Sequence, residues 1–285
     1  EYIDPAHLYT YDLDVFGDYS LFQYINRTST PVGKQHLADW FNAHLELKES
    51  IEQRQEAIRE LSTDLEYRQQ IRLFGLLYKG KPADTNEIRK WAGSPSYYRK
   101  HTLLRIIPTV VSIINLICIG SAIVGILPAT VPGGVFFCFV IFSSIFSKGI
   151  TKLQATYGKK LQILSTYADQ ILLTEKKEMN SPVLQQLKTE LTSQNQTASQ
   201  AVRQLSKLMN ALDQRSNLLM STILNGLSVW ELRQVMRIEK WKETHASDLP
   251  RWIETIGEID AYCSLATFTY NHPDYIFPKI SSQSF

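Results

Sequence analysis

The sequence predicts an all-α protein, an elongated bundle of long antiparallel helices that also carries an apolar helical hairpin. Apolar residues recur at steps of three and four over most of the chain, which is the spacing of one helix face. Only 13 of the 285 residues are glycine and 11 are proline, and such a composition favours long helices over a turn-rich β architecture. Several of those prolines directly follow Ser or Thr, where helices begin.

Helix starts are predicted wherever a capping residue stands before a proline or three residues before a glutamate. The side chain of a capping residue accepts a hydrogen bond from a free backbone N–H of the first turn, and proline fits that turn because it lacks an N–H. The predicted starts are Thr30-Pro31, Thr63 with Glu66, Ser94-Pro95, Ser181-Pro182, Ser228 with Glu231, and Asp248 with Pro250.

Changes in composition divide the chain into three parts. Residues 1–100 are interpreted as the first part of a helical core domain, residues 101–150 as the apolar hairpin, and residues 151–285 as long helices. Alternating polar and apolar residues at positions 9–15 permit a short strand within the first part. The apolar stripes of the third part lack heptad regularity, which favours antiparallel helix pairs over a continuous dimeric coiled coil.

The central part contains a long stretch without charge. No Asp, Glu, Lys or Arg lies between Arg105 and Lys148, and residues 106–130 exceed the roughly 20 residues that cross a bilayer. The prolines and paired glycines of residues 128–134 predict a break between two helices. Basic residues flank both ends, so the positive-inside rule predicts that residues 106–146 form a membrane hairpin with both ends in the cytoplasm.

Burial of the same hairpin inside a soluble body is the alternative. Pro108, Asn115 and the shortness of the second apolar run favour burial, whereas the lack of a polar face favours the membrane. In both cases we expect the chain around Tyr97 and Tyr157 to run side by side. If the protein is soluble, a second copy must cover the hairpin, and we expect an interface dominated by Ile113, Ile117, Phe136, Phe139 and Phe142.

Charge and motif content argue against most catalytic classes. The net charge is +2, which predicts neither a strongly nucleic-acid-binding chain nor an acidic binder. Cys118, Cys138 and Cys263 show no CxxC spacing, so a zinc site is not expected. The GxxxxGK[ST], GxSxG and HExxH patterns are absent from the sequence. We therefore expect no catalytic, cofactor-binding or metal-binding residue in this chain.

Two pairs of polar residues have both a functional and a structural interpretation. His36 and His44 lie eight positions apart on one predicted helix, which is too far for a shared metal ion without other ligands, so structural histidines are favoured. Asp12 and Asp14 could form a carboxylate pair, but turn or capping groups are the favoured interpretation.

Basic and aromatic residues raise the question of nucleic-acid contact. Four basic residues could contact phosphates, although a solvated helix face is favoured: Arg68, Arg72, Lys79 and Lys81. Core packing is favoured over stacking on bases for three tryptophans: Trp230, Trp241 and Trp252. The sequence alone therefore assigns no DNA-binding residue.

Two segments resemble the MutS mismatch-repair family. DLDVFGDYSLFQYINRTSTPVGKQHLADWF at residues 12–41 is similar to the opening of the family's core domain, and IEQRQEAIREL at residues 51–61 is similar to the helix that follows. IGEIDAYCSLA at residues 256–266, followed by Tyr275 and Pro278, is similar to the helix that returns from the lever to the ATPase domain. The segments occur in the family's order, which makes the combination fairly specific.

The resemblance implies a non-catalytic core and lever segment of a MutS-related DNA repair ATPase that couples ATP state to the binding of DNA, including mismatched DNA. It implies ATP and Mg²⁺ in a domain beyond this segment, DNA as a partner and a homodimeric parent. Residues 106–146 depart from the usual lever and look like membrane-predicted MutS-related proteins of bacteria, which implies a cytoplasmic protein held at the inner membrane. A membrane-anchored scaffolding module without DNA binding is the alternative function.

Overall fold

The computed structural model describes residues 2–77, 82–162, 164–192 and 197–281. Within these ranges the chain forms α-helices and one 3-10 turn, Gln214–Ser216, with no β-strand, which confirms the all-α prediction. The helices are α1 (Leu21–Ile25), α2 (Pro31–Asn42), α3 (Lys48–Thr63), α4 (Leu65–Leu77), α5 (Pro82–Gly93), α6 (Thr102–Ile123), α7 (Thr130–Gln162), α8 (Leu164–Lys176), α9 (Pro182–Glu190), α10 (Ala198–Asp213), α11 (Leu218–Ser228), α12 (Trp230–His245) and α13 (Leu249–Asn271).

The chain divides into two compact units, each assembled from separated stretches of sequence. The first unit comprises Glu1–Asn86, Ser165–Val202 and Asp248–Phe285. The second unit comprises Glu87–Leu164 and Arg203–Ser247. The three-part division by composition follows chain order instead, and it stays a prediction.

Helix α13 is the central element of the first unit. It packs against α2, α3, α4 and α9, and most of its apolar side chains are buried, with Trp252, Ile256 and Ile259 fully so. The helix begins after Asp248 with Pro250 in its first turn, as predicted. Burial of apolar surface contributes about 25 cal/mol per Å², so this helix supplies much of the unit's stability.

Local capping signals place two further helices of the first unit. The Thr30 side chain accepts the N–H of Gly33 at 3.0 Å, and α2 begins at Pro31. Helix α9 begins at Pro182, directly after Ser181. Both starts were predicted. The Thr30 cap lies within one turn, whereas Ser181 makes no side-chain cap and its N–H donates to the Glu60 carboxylate at 2.6 Å.

The start of α4 differs from the prediction by one residue. Asp64, rather than Thr63, accepts the N–H of Tyr67 at 2.9 Å. Thr63 is the last residue of α3, and its hydroxyl donates to the Glu60 carbonyl at 2.8 Å. Asp64 is as good a capping residue as Thr63, so the pattern of residue types alone could not separate them.

Of two predicted helix starts in the second unit, the one at Ser94-Pro95 is wrong, and the one at Ser228 differs by one residue and in its capping group. Residues 94–101 after Ser94-Pro95 are irregular, and α6 begins only at Thr102. Helix α12 has Val229 at its N-cap, with a left-handed φ of 48° and no side-chain cap. The Asn225 side chain, instead of Ser228, accepts the N–H of Glu231 at 3.0 Å. Both departures result from side chains of neighbouring helices that supply the hydrogen bonds.

The strand permitted at residues 9–15 does not form. The segment folds into successive turns, in which the Leu13 N–H donates to the Tyr9 carbonyl and the Val15 N–H to the Thr10 carbonyl, both at 3.0 Å. A strand needs a neighbour to satisfy its backbone groups, and these bonds stay within the segment.

The second unit contains the predicted hairpin. Helices α6 and α7 are joined by residues 124–129 and pack against each other and against α11 and α12. The break therefore comes slightly earlier than residues 128–134, and α7 continues without interruption to Gln162. The two helices and the turn between them confirm the helix–turn–helix prediction. Helix α7 can include Pro132 because this proline falls in its first turn, where the missing N–H costs no hydrogen bond.

Candidate functional site

The hairpin formed by α6 and α7 presents an extended apolar surface. The 22 residues of α6 have a mean hydropathy of 2.2 in their most apolar window, and only 17% of that window is buried. The corresponding stretch Thr130–Gln154 of α7 has a mean hydropathy of 1.8 and is 6% buried. Large side chains stand exposed along both helices, such as Leu116, Ile117, Phe137, Ile141 and Ile145.

Helix α11 extends the same surface. Its exposed side chains include Leu218, Leu219 and Ile223, and it packs against both α6 and α7. With 11 residues, or about 16 Å at 1.5 Å per residue, it is too short to cross a bilayer. A soluble protein rarely exposes a continuous apolar surface of this kind without a partner or a membrane to cover it.

Polar groups between the three helices are satisfied internally. The Asn115 amide of α6 is buried and donates to the carbonyls of Val111, Gly226 and Leu227 at 3.1–3.2 Å. A Cβ on Gly226 would lie 2.2 Å from the Phe136 ring, so glycine permits the close approach of α11 to α7. Internal satisfaction of polar groups and small residues at helix contacts are both features of helices packed in lipid.

The chain that enters the hairpin is held by a buried carboxylate. Glu239 of α12 accepts the backbone N–H groups of Tyr97, Tyr98 and Arg99 at 2.8, 3.1 and 2.7 Å. Nearby, the Arg99 guanidinium donates to Glu243 at 2.9 Å. Burial raises the pKa of Glu243, but hydrogen bonds from Ser96 and Arg99 outweigh it and hold that pKa below its ordinary value.

The two ends of the hairpin meet. The Tyr98 ring lies against Phe146 with centroids 6.4 Å apart, and a Cβ on Gly149 would touch the Tyr98 hydroxyl. This contact places both ends on one side, as predicted. The segment around Tyr97 is not helical, however, because its N–H groups bind Glu239, and the Tyr157 side chain lies outside the described residues.

Arg215 fastens the far flank of α7. Its guanidinium donates to Ser147 and Thr151 at 3.0 and 2.8 Å and lies 3.5 Å from the Glu231 carboxylate. Because the Arg215 side chain is only 13% exposed and that of Glu231 only 5%, this ion pair is shielded from solvent. No local sequence signal predicts this arrangement, since Ser147 and Thr151 lie more than 60 positions before Arg215.

The histidine and aspartate pairs do not form a metal or catalytic site. His36 contacts Glu254 of α13 at 2.9 Å, while His44 lies beyond the end of α2 rather than on the same helix. Asp12 and Asp14 are exposed in turns. In residues 2–77, 82–162, 164–192 and 197–281, no group of three His, Cys, Asp or Glu side chains could hold a metal ion.

The structure describes two of the four basic residues considered for phosphate contact, and their side chains differ in burial. Arg68 is buried, against the expectation of a solvated face, and donates to the carbonyls of Ser62 and Ala266 and to the Thr267 hydroxyl. Arg72 is exposed, and Lys79 and Lys81 lie outside the described residues. Trp241 and Trp252 are buried and Trp230 is partly buried, which agrees with core packing.

Sequence reasoning did not single out Asp260, the best-connected carboxylate of the first unit. It is buried on α13 and accepts the backbone N–H groups and the hydroxyls of Ser29 and Thr30, at 2.8–3.1 Å. Burial raises the pKa of this carboxyl, and the four hydrogen bonds oppose that rise. The arrangement joins α2 to α13 and has the character of a structural junction, since every contact named is internal.

One comparison with known proteins matches most of the chain, including the hairpin and the greater part of α13. A family model for MutS domain III matches residues 9–266, which include both the Asp260 junction and the hairpin. No curated protein and no solved structure matches the chain.

Proposed function

Since this chain belongs to the MutS family through its domain III, we propose that this segment of a DNA repair protein is a lever that couples ATP state to the binding of DNA, including mismatched DNA. ATP and Mg²⁺ would be held by another domain of the parent protein, and this segment itself would catalyse no reaction and bind no cofactor. The parent would act as a homodimer on the cytoplasmic side of a bacterial inner membrane, anchored through α6 and α7.

The observation that carries the lever proposal is the Asp260 junction. The helix that resembles the family's return to the ATPase domain, α13, is fastened to α2 by four hydrogen bonds from Ser29 and Thr30. Rigid helices joined by a fully satisfied buried group move as one body. A rotation applied at α13 would therefore be passed to α2 rather than absorbed in a loop.

An equilibrium binding measurement tests the coupling. With full-length protein, we expect the Kd for duplex DNA to differ between ATP and ADP, and to rise steeply with salt because bound phosphates release counterions. Asp260→Asn should reduce the ratio of the two Kd values, while the exposed control Asp274→Asn should leave it unchanged. An Asp260→Asn protein that folds and keeps the full ratio would contradict the lever proposal.

A membrane-anchored scaffolding module without DNA binding is the second candidate. The uncovered apolar surface of α6 and α7 favours this candidate, because a membrane can cover such a surface without any contact with nucleic acid. The same titration separates the candidates. If full-length protein shows no salt-dependent binding to perfect or mismatched duplex, the scaffolding function replaces the lever function.

Insertion of the hairpin is common to both candidates and is tested by fractionation of cells that make the full-length protein. We expect the wild type in the membrane fraction, resistant to alkaline carbonate. Ile117→Arg places a charge near the middle of α6, which costs about 3 kcal/mol in a bilayer, and should shift protein to the soluble or aggregated fraction. Leu47→Arg, at an exposed leucine of the first unit, is the matched control. Recovery of wild-type protein in the soluble fraction without detergent would exclude insertion.

A further inference from the structure

A basic cleft lies in the second unit, beside the start of α6. Its volume is about 330 Å³, and its lining residues include Arg99, Arg105, Pro108, Arg233, Arg237 and Lys240. This volume is at the lower end of the range for small-ligand sites, roughly 300–1,000 Å³. Thr109 and Met236 complete the lining, so five of the eight lining residues carry a positive charge in a chain whose net charge is only +2.

Two of the cations are held in place by the protein. Arg233 donates through Nη2 to the Pro108 carbonyl at 2.8 Å and to the Ser112 hydroxyl at 2.9 Å. Arg105 donates through Nε to the Arg99 carbonyl at 2.8 Å. The Arg105 bond uses only Nε, so its two Nη groups remain as a fork of donors that suits a phosphate group. Arg233 donates twice through Nη2 and keeps its Nε and Nη1 donors for an anion.

The carboxylates near the cleft are already engaged. Glu243 pairs with Arg99 at 2.9 Å, and Glu239 accepts three backbone N–H groups. Arg237 and Lys240 are exposed on α12, and within the part of the chain that the structure describes neither lies in ion-pair distance of a carboxylate. The cleft therefore keeps an excess of positive charge.

The cleft lies beside the boundary between charged and apolar sequence. Arg105 is the last charged residue before the run of residues 106–147, and Pro108 is one turn further along α6. If the helix inserts, a residue one turn inside the apolar run lies about 5 Å from its start. The cleft therefore lies where the hydrocarbon begins, and the head-group layer that contains the lipid phosphates is on the side of Arg105.

We propose that this cleft binds the phosphate of an acidic glycerophospholipid, an inference that rests on the proposed insertion of the hairpin. Guanidinium and ammonium groups would contact the phosphodiester, and the exposed apolar side chains of α6 would contact the acyl chains. Basic pockets beside membrane helices on the cytoplasmic side suit such head groups. Duplex DNA fits less well, because its charged backbone would have to lie against the apolar surface of α6.

Native mass spectrometry of the full-length protein in detergent tests this proposal. The protein is titrated with phosphatidylglycerol, cardiolipin, phosphatidylcholine and, in separate arms, inorganic phosphate and duplex DNA. We expect acidic lipids to bind tightly and phosphatidylcholine weakly. Arg237→Gln with Lys240→Gln should weaken acidic-lipid binding about thirtyfold, whereas Lys176→Gln with Lys279→Gln, at exposed lysines of the first unit, should not change it.

Each result decides a separate question. Equal acidic-lipid binding by wild type and the cleft variant overturns the proposal even when fractionation shows that the hairpin is inserted. If inorganic phosphate or DNA displaces acidic lipid at the concentrations at which the lipid saturates the protein, the cleft binds a soluble phosphate group. That result would overturn the proposal that a lipid supplies the phosphate. Failure of the hairpin to insert is read from fractionation alone, so the two failures are distinguishable. Unchanged thermal melting of the cleft variant excludes misfolding as a cause.

Discussion

The Thr30 hydroxyl donates to the Asp260 carboxylate at 2.8 Å across 230 positions of sequence. The same oxygen accepts the N–H of Gly33 at 3.0 Å, so Thr30 caps α2 and fastens it to α13 at once. Both residues belong to the segments that resemble the MutS family. The resemblance therefore marks two stretches of sequence that contact each other in the folded protein.

Asp260→Asn should destabilise the first unit. The substitution keeps the volume but turns an acceptor oxygen into an NH₂ group that faces the donors of Ser29 and Thr30. A buried donor left without an acceptor costs about 1–3 kcal/mol, so we expect a loss of at least about 2 kcal/mol. Circular dichroism melting measures it, with Asp274→Asn as the exposed control. Equal melting temperatures for the two variants would show that the hydrogen bonds add no stability.

Gly33→Ala should be more harmful than a helical Gly→Ala change usually is. A Cβ at Gly33 would lie 2.5 Å from the Asp260 carboxylate oxygen, whereas a Cβ at Gly93 meets no atom within 4 Å. Alanine is otherwise the better helix former by about 1 kcal/mol. We therefore expect Gly33→Ala to lower the melting temperature and Gly93→Ala, at the last residue of α5, to raise it slightly. Parallel behaviour of the two would mean that α2 can move away from α13 without cost.

Asp64 should make the first unit sensitive to acid. Burial raises the pKa of its carboxyl, but the hydrogen bonds that it accepts from the Lys177 ammonium and the Tyr67 N–H outweigh burial, so the pKa lies below the ordinary 3.8. A lowered pKa gives stability that is present above about pH 4 and is lost as the pH falls through the lowered value. Asp64→Asn keeps the cap and removes the charge. The difference in melting temperature between wild type and Asp64→Asn should therefore shrink below pH 4, and a difference that is constant with pH would contradict this assignment.

Glu239→Gln should loosen the segment that leads into α6. One Glu239 oxygen accepts from Tyr97 and Tyr98 and the other from Arg99, so an NH₂ group at either place leaves at least one N–H without an acceptor, at a cost of about 1–3 kcal/mol. Glu243→Gln, on the same helix, removes only a partly exposed ion pair with Arg99 and should cost less than about 1 kcal/mol. Hydrogen exchange of residues 97–99 measures the difference. Similar exchange in the two variants would show that Glu239 does not hold this segment.

Signals that act within one turn could be predicted from the sequence. Thr30-Pro31 begins a helix because the Thr30 hydroxyl and the N–H that it caps belong to the same stretch of chain. Helix α13 begins after Asp248 without a side-chain cap, so the local signal there is the proline in its first turn. Ser94-Pro95 carries the same signal and fails. The N–H groups that follow it bind Glu239, which is about 140 positions away, so a tertiary contact replaces the first helical turn.

The candidate site was predictable only in outline. The absence of charge between Arg105 and Lys148 predicted the hairpin, because composition alone determines whether a helix can enter lipid. The basic cleft and the Asp260 junction were not predictable, since each combines side chains from distant helices. Arg68 shows the same limit, because its carbonyl partner at Ala266 lies 198 positions away and turns a basic residue into a core residue.

The division of the first unit into three stretches of sequence has a consequence for biosynthesis. A ribosome releases α2 and then the apolar helices α6 and α7 before it has made α13, which supplies Asp260. The hydrogen bonds from Ser29 and Thr30 to Asp260 can therefore form only after the hairpin has already left the exit tunnel. If α6 and α7 insert into a bilayer during translation, they would do so before the first unit can complete its folding. A chain whose synthesis stops before α13 would therefore be anchored in the membrane with its first unit incompletely folded.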